Sequence, residues 1–388
     1  MKKVVMVLNN SFTNDSRVLR EARSLVQYGF KVVIFATKDN NLPQEEIIQG
    51  IKIKRVTERY DFRFKPHKIF SQLIPTYKLL KKEKAQVYHS HDFDTLIITF
   101  LASSKNKAKF IYDTHEVWSE KTVERKVYKK ILYFIAKNIL IKPVERFILR
   151  RANSVITTSE GHAKLISEMY KISKPSVILN CSVKGNLKKT EYLREKLGLE
   201  DEDKIAIYLG GFMKNRGLEN LIKASKRFSN NARLVLIGYG PIKSSLERLI
   251  EKNSLQKKVF ILDAVSQDEV VRVASSADIG VSPVENASKS YYHSAPNKVF
   301  EYIASGLAVA ASDFPEMKKI VVDNNVGTVF DPENPQEIEE KINELVGNEE
   351  LLEKMKRNSK KIFLEKYNWE KEEKKLIDVY NNLLSLKV

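Results

Sequence analysis

Residues Ala295–Ser312, APNKVFEYIASGLAVAAS, place a turn, a base and an acid in one short run. Pro296, Asn297 and Lys298 lead into an apolar helix whose one carboxylate is Glu301, and Gly306 stops the helix before an apolar strand. The first amides of a helix have no partner within it and sit at the positive end of its dipole, which suits a phosphate. Glu301 lies between Phe300 and Ile303 and is expected to face the protein. A carboxylate buried bare costs several kcal/mol, so it needs cationic or hydroxyl partners. The chemistry open to this run is to hold a diphosphate at Asn297 and Lys298 and ribose hydroxyls at Glu301. The plainer alternative, an amphipathic helix with a solvated acid, fits the segment equally well.

Two other groups of residues can do chemistry. In YLGGFMKNRGLENLI, Gly210 and Gly211 let a phosphate approach the backbone and Arg216 offers a bidentate guanidinium. The run is neither a P-loop nor a GxGxxG fingerprint. HSHD and DTHE follow two short apolar runs. His115, between Asp113 and Glu116, titrates near neutrality and can orient a sugar or polarise a hydroxyl; capping a turn is its structural alternative. In His91-Asp92 the acid can fix an imidazole tautomer, although neighbours in a strand point to opposite faces. Tyr291 and Tyr292 can stack on a base or line a sugar site, and tyrosines are also common in loops. Cys181 is the one cysteine, expected to be small and buried, so an internal disulfide and a thiolate metal site are both excluded. The six histidines form no His-x-x-x-His pair. No metal or cofactor is expected.

These residues need a frame, and the frame is strand–helix alternation. Val4–Leu8, Val32–Ala36, Val87–His89, Phe110–Asp113, Ser154–Thr158 and Val177–Leu179 read as strands, with helices such as Ser16–Tyr28 and Leu96–Ser103 between them. The polar stretch Lys184–Asp203 reads as a linker. Ile205–Leu209, Leu234–Ile237, Val259–Leu262, Ile279–Val281 and Ala308–Ala310 then restart the pattern. The expected fold class is α/β: two Rossmann-like doubly wound domains, residues 1–183 and 184–368, with a C-terminal helix, 369–388, crossing back to the first. Ligands in such sheets bind at the carboxyl ends of strands, where most of these residues fall.

At 388 residues the chain is long enough for two cores, and 43% hydrophobic with 30% charged residues fits a globular enzyme. No signal peptide is visible, and the apolar stretch Ile131–Ile141 is far below the ~20 residues that span a bilayer. The net charge is +18. Arg63–Lys84 carries seven Lys/Arg against one Glu, and Lys121–Arg151 ten against two, so these segments hold most of it. Both also carry apolar groups: Phe64, Ile69, Phe70, Leu73 and Ile74, then Ile131, Leu132, Tyr133, Phe134 and Ile135. Basic residues beside an apolar stripe suit an anionic membrane surface. Nucleic acid ranks lower, because no helix-turn-helix, zinc-finger or RNA-binding signature is present. Solvated helix faces are the plain alternative.

The order of motifs resembles the family-four, group one glycosyltransferases, which have the B-type glycosyltransferase fold. It is carried by NDSRVLREARSLVQYGFKV, HSHD, YDTHEVWSE, VITTSEGHAKLI, VILN, YLGGFMKNRGLENLI, LIGYGP, ADIGVSPV, PNKVFEYIASGLAVAAS and YNWEKEEKKLIDVY, nearly the whole chain. The resemblance implies a metal-independent, retaining hexosyl transfer from a UDP- or GDP-type sugar, with the donor on the second domain and the acceptor on the first. It implies that Glu301 binds ribose, Arg216 neutralises the diphosphate, Gly210 and Gly211 admit it, and Asn297 and Lys298 supply amides, with the Lys298 ammonium nearby. His115 then faces the transferred sugar. Two departures stand out: His293 occupies the place of the family's first Glu, with seven residues between it and Glu301, and Gly211 the place where an Arg is common. The expected enzyme is cytoplasmic and peripheral on the inner face of the cell membrane. It builds a surface glycan on a glycan or lipid-linked acceptor. The alternatives are a nucleotide-sugar epimerase of the same architecture and a silent membrane-binding module.

Overall fold

The computed structural model describes residues 2–13, 15–57, 69–120, 137–185 and 189–385. It forms two compact units, Met1–Ile178 with Glu373–Val388, and Leu179–Glu372.

The first unit is built on an eight-stranded sheet: β1 (Lys3–Val7), β2 (Lys31–Thr37), β3 (Glu45–Ile48), β4 (Ile51–Thr57), β5 (Val87–His91), β6 (Lys109–Thr114), β7 (Ser154–Thr157) and β8 (Ser176–Val177). The spatial order is β3-β4-β2-β1-β5-β6-β7-β8. Its pairs are parallel except β3 with β4, which run antiparallel at the edge. β1 and β5 are buried over nearly their whole length, as strands covered on both faces must be. The order reverses between β1 and β5. That puts the end of β5, His91, at the topological switch point where such sheets bind ligands.

The second unit holds β9 (Lys204–Leu209), β10 (Ala232–Ile237), β11 (Val259–Leu262), β12 (Ile279–Ser282), β13 (Ala308–Ser312) and β14 (Gly327–Phe330), all parallel, in the order β11-β10-β9-β12-β13-β14. Its sheet separates two cores. Ile205, Ile207 and Leu209 enter one, while Ala206 and Tyr208 enter the other, the two-residue alternation of a strand. The switch point falls between β9 and β12, and Gly210 follows β9 directly. The two α/β units are Rossmann-like and doubly wound.

The last helix, Trp369–Leu384, contributes to the first unit from Glu373 onward. Leu376, Ile377 and Tyr380 are buried. The Tyr380 hydroxyl lies 2.8 Å from His89 Nδ1, and its ring 5.5 Å from that of Phe30.

Three local expectations change. The polar stretch 184–203 contains a helix, Tyr192–Leu197, fixed by fully buried Leu193 and by Arg194, which donates to the Glu200 and Asp203 carbonyls and reaches Asp278. β3 and β4 were not expected, since EEII and IKIKRVT are too charged to read as core strands; one pairs only at the edge. Among the apolar groups of the basic segments, Ile74 is half exposed while Leu73 packs on the core. Phe64 and Ile131–Ile135 lie outside the described residues, and of Ile69 and Phe70 only the helical backbone is described. No helix among the described residues is long and apolar enough to cross a membrane.

Candidate functional site

In the first unit a buried ion pair organises the strand ends. Arg17, on the helix Ser16–Gln27, grips Asp113 at the end of β6 through Nη2 (3.0 Å to Oδ2) and Nε (3.2 Å to the same oxygen). Its Nη1 donates to the Ile178 carbonyl at 2.9 Å, and Nε lies 3.0 Å from Glu21 Oε1. Burial alone would raise the Asp113 carboxyl, but Arg17 and then His115 outweigh it and hold it well below the usual range.

His115 is positioned from three sides. Its Nε2 lies 3.4 Å from Asp113 Oδ2, its Nδ1 lies 3.3 Å from Asp92 Oδ2, and its backbone amide donates to Asp92 Oδ1 at 3.0 Å. Asp92 adopts φ +60, uncommon for a residue with a side chain, as it opens the helix Asp92–Lys105. The acid after His91 therefore serves His115 rather than its own neighbour. Burial would lower the His115 imidazole, but Asp92 and Asp113 outweigh that and hold it well above its ordinary value. His115 is thus an imidazolium at neutral pH with both nitrogens facing carboxylates. It can present positive charge at the partly exposed ring edge, but it is not a free general base.

Behind it, the rings of His89 and His91 stack at 4.2 Å, and burial pulls His89 down to about 4 and His91 well below its ordinary value. Burial pushes the Glu21 carboxyl up from its ordinary value, against the pull of Arg17. Glu21, His89, His91 and Asp113 offer ligand atoms all within 4.8 Å of one another. Arg17 already occupies that neighbourhood, and a fixed guanidinium about 3 Å from two of the donors opposes a divalent cation. The donor set does not fit a metal; it fits a charge-balanced network that steadies His115.

In the second unit, the loop after β9 and the helix Asn297–Ala304 form the other candidate. Gly210 is exposed with φ +142, a backbone conformation that favours glycine. The Tyr208 hydroxyl donates to the Gly211 carbonyl at 3.0 Å. Tyr302 ties the helix to the sheet: its hydroxyl accepts from the Leu209 amide at 3.0 Å and donates to the Val281 carbonyl at 3.2 Å. Its ring packs so closely on Gly280 that a Cβ there would come within 2.1 Å. This fixes the helix start beside Gly210.

Pro296 is the helix N-cap and makes no side-chain capping bond, so the amides at the following Asn297 and Lys298 are positions the helix does not use. Asn297 is exposed. Arg216 is half-buried, its guanidinium 5.2 Å from the Tyr291 ring centre. Glu301 departs from expectation: it is half-buried rather than enclosed and accepts from Gln267 Nε2 at 3.2 Å. The buried charged residue of that turn is Lys298, at 9% exposure. The helix turns its apolar side chains inward at 299, 300, 302 and 303, and position 298 falls on that side while 301 falls at its edge. Gly210, Gly211, Arg216, Asn297, Lys298 and Glu301 thus belong to one unit, and His115 to the other. The residues sequence reasoning missed are Arg17, Glu21 and Tyr380. The one signal for the first two is an Arg–Glu pair at four-residue spacing flanking the apolar face of Val18, Ala22 and Leu25.

Residues 16–182 match the family described as Glycosyltransferase Family 4, and residues 189–362 the family described as Glycosyl transferases group 1. An uncharacterized glycosyltransferase of Methanocaldococcus jannaschii is 24% identical over 92% of this chain and 91% of its own. Sucrose-phosphate synthase from Thermosynechococcus elongatus superimposes with a TM-score of 0.79 at 17% identity, covering 100% of both chains. HepE of Anabaena, solved in complex with UDP and glucose, gives 0.77 at 15% identity over 98% of this chain and 100% of its own. Both likenesses show the fold, the B-type glycosyltransferase architecture.

Proposed function

Since the chain belongs to the family-four, group 1 glycosyltransferases, we propose that it moves a hexosyl group, with retention, from a UDP- or GDP-type sugar to a cell-surface glycan or lipid-linked acceptor. The observation that carries the donor half is the convergence of Arg216, Lys298 and the uncapped helix start on the exposed Gly210 loop, with Glu301 at reach for ribose hydroxyls. HepE, which shares the fold, binds UDP, and this supports the same ligand class here.

In the reaction the bond from the anomeric carbon to the leaving phosphate breaks as the acceptor oxygen bonds to that carbon on the same face. The acceptor's proton passes to a phosphate oxygen of the leaving diphosphate. Arg216 and the amides at 297 and 298 stabilise the charge that gathers on that group, the preorganised electrostatic effect that dominates many enzymes. Two side-chain cations and a helix start perform the neutralisation without a metal. The His115 imidazolium, held by Asp92 and Asp113, offers positive charge to an acceptor bound at the first unit.

A thermal-shift panel of nucleoside diphosphates and their sugars, with and without EDTA, tests this. A matching nucleotide at a hundredfold excess over Kd is expected to stabilise the protein by about 2.7 kcal/mol, with EDTA making no difference. If UDP, GDP, ADP and dTDP at millimolar concentration all leave the melting temperature unchanged, the donor assignment is wrong.

We place the enzyme at an anionic membrane face through its first unit. On the helix Lys142–Leu149, Lys142 and Arg146, followed by Arg150 at the same four-residue spacing, line one stripe; Lys142 is paired with Glu120 at 3.0 Å, while Arg146 and Arg150 are like charges at a spacing that repels. They border a groove of about 570 Å³ with Arg151, Phe147 and Tyr170, and Phe147 and Ile139 are more than half exposed. Each basic residue near such a surface contributes about 1 kcal/mol. Sedimentation with phosphatidylserine-containing vesicles is expected to fall steeply as salt shortens the screening length from about 10 Å at 0.1 M to about 3 Å at 1 M. Equal sedimentation across that range, or none at low salt, would reject the attachment.

A further inference from the structure

Lys298 is a largely buried lysine that makes no ion pair at hydrogen-bond distance among the described residues. It is 9% exposed, and no carboxylate, hydroxyl or carbonyl of the described residues hydrogen-bonds its ammonium. A long basic side chain ordinarily carries its head out to water. Here Nζ also sits 4.1 Å from the centre of the Tyr208 ring, and 3.3 Å from where a Cβ on Gly210 would stand. It therefore points at the exposed loop that the donor reading gives to the diphosphate.

The charges acting on it are few. Arg216 repels its protonated form and Glu301 favours it. The strands beneath the helix, β12 and β13, contain no titratable residue. From the helix Val270–Ala274, Arg272 is engaged with Glu269 at 3.0 Å. From the helix Glu349–Glu365, Lys360 lies against Gly306, at the other end of the segment. The phenols of Tyr208 and Tyr302 are held up by burial and stay neutral, so neither supplies a counter-charge. Burial first, and Arg216 second, bring the Lys298 ammonium down to about 7.

We infer that Lys298 binds the donor diphosphate alongside Arg216 and takes up a proton from solvent as it does so. The inference rests on the donor reading above. The balance is simple: above neutrality the free protein holds Nζ as an amine, one proton from water converts it to the ammonium, and the phosphate oxygens accept its hydrogen bonds. When the nucleoside diphosphate leaves, that proton returns to solvent. Lys298 is then a binding residue whose charge appears only with its ligand, so an empty site does not carry two adjacent fixed cations.

The test is titration calorimetry with UDP and with GDP on the full chain between pH 7.5 and 9.5. In that range the terminal phosphate, whose second ionisation lies near 6, is fully ionised and cannot itself supply the effect. Running pH 8.0 in phosphate and in Tris, whose ionisation heats differ, reads proton uptake directly. Close to one proton per bound nucleotide is expected, with affinity falling by up to about tenfold per pH unit as Lys298 must be protonated to bind. Lys298→Met is expected to abolish the uptake and to weaken binding at pH 7 by about ten- to a hundredfold.

A second variant guards against trivial damage. Gly211 is exposed and a Cβ there meets nothing closer than Met213 Cγ at 3.5 Å, so the position accepts a side chain. Gly211→Arg added to Lys298→Met is expected to regain affinity with no proton uptake, because a guanidinium stays charged throughout. Normal nucleotide binding without proton uptake, or with Lys298→Met unchanged, would overturn the inference and leave the donor reading intact. Failure of the unmodified protein to bind either nucleotide would overturn both.

Discussion

Asp113→Ala is expected to lower the unfolding free energy by about 3–5 kcal/mol, because it strips a buried guanidinium of its main counter-charge. Arg17 and Asp113 are both almost fully buried, and the pair makes two contacts of 3.2 Å or less to one oxygen. After the change Arg17 keeps the Ile178 carbonyl and Glu21. Asp113 also helps to hold the Glu21 carboxyl up, so losing Asp113 favours the Glu21 carboxylate and recovers some of the loss. The lower end of the range is therefore the expected value at pH 7, and the added Glu21→Gln change should move it to the upper end. Urea denaturation measures this; a loss below about 1 kcal/mol, the value of an exposed pair, would mean that the pair is solvated.

The same substitution reports on His115. A histidine whose folded-state value is raised contributes stability that is complete below its unfolded value near 6.5 and is lost as pH rises through the folded value. Asp113, whose value is depressed, contributes above its unfolded value near 3.9 and loses this as pH falls through the folded value. Losing Asp113 removes one of the two acids that hold His115 up. The His115 titration in the NMR spectrum should move downward, and any alkaline limb of the activity profile with it. Asp92 remains to hold part of the shift.

Arg216→Ala is expected to raise the Kd for the matching nucleoside diphosphate by about ten- to a hundredfold, the worth of one charge-assisted hydrogen bond of about 1.5–3 kcal/mol. Stability should hardly change, since the side chain is half exposed and stacks on Tyr291 rather than on a core residue. Arg216→Lys is not expected to rescue binding. A lysine can neither present two parallel donors to a phosphate nor lie flat on the tyrosine ring. Arg216 also depresses Lys298, so its removal should leave Lys298 more fully protonated in the free protein, and proton uptake at pH 8.0 should fall. Unchanged nucleotide affinity would remove Arg216 from the phosphate site.

The doubly wound units were legible because continuous apolar runs and helical periodicity are local signals, and β9 to β13 follow them. The edge strand Glu45–Ile48 was not, because an edge needs little apolar character and its identity comes from the neighbour it pairs with. The second-unit candidates were legible as residue types but not as environments. Nothing local says that Lys298 is enclosed and Glu301 half open; that depends on which side of an eight-residue helix meets the sheet, and Tyr302 against Gly280 decides it. The first-unit network was least legible. Arg17 and Asp113 are 96 residues apart, and Tyr380 is 291 residues from His89, so only the assembled sheet brings them together.

The docking of Tyr380 beside His89 has a temporal consequence. Translation delivers the strands of the first unit early, yet the residues from Glu373 onward that finish its interior leave the ribosome only after the second unit. At about 5–20 residues per second, the intervening chain takes on the order of 10–40 s to make. Through that interval the nascent first unit waits with His89 and the ring of Phe30 uncovered by Tyr380, while every residue of the second unit emerges before the helix that finishes the first.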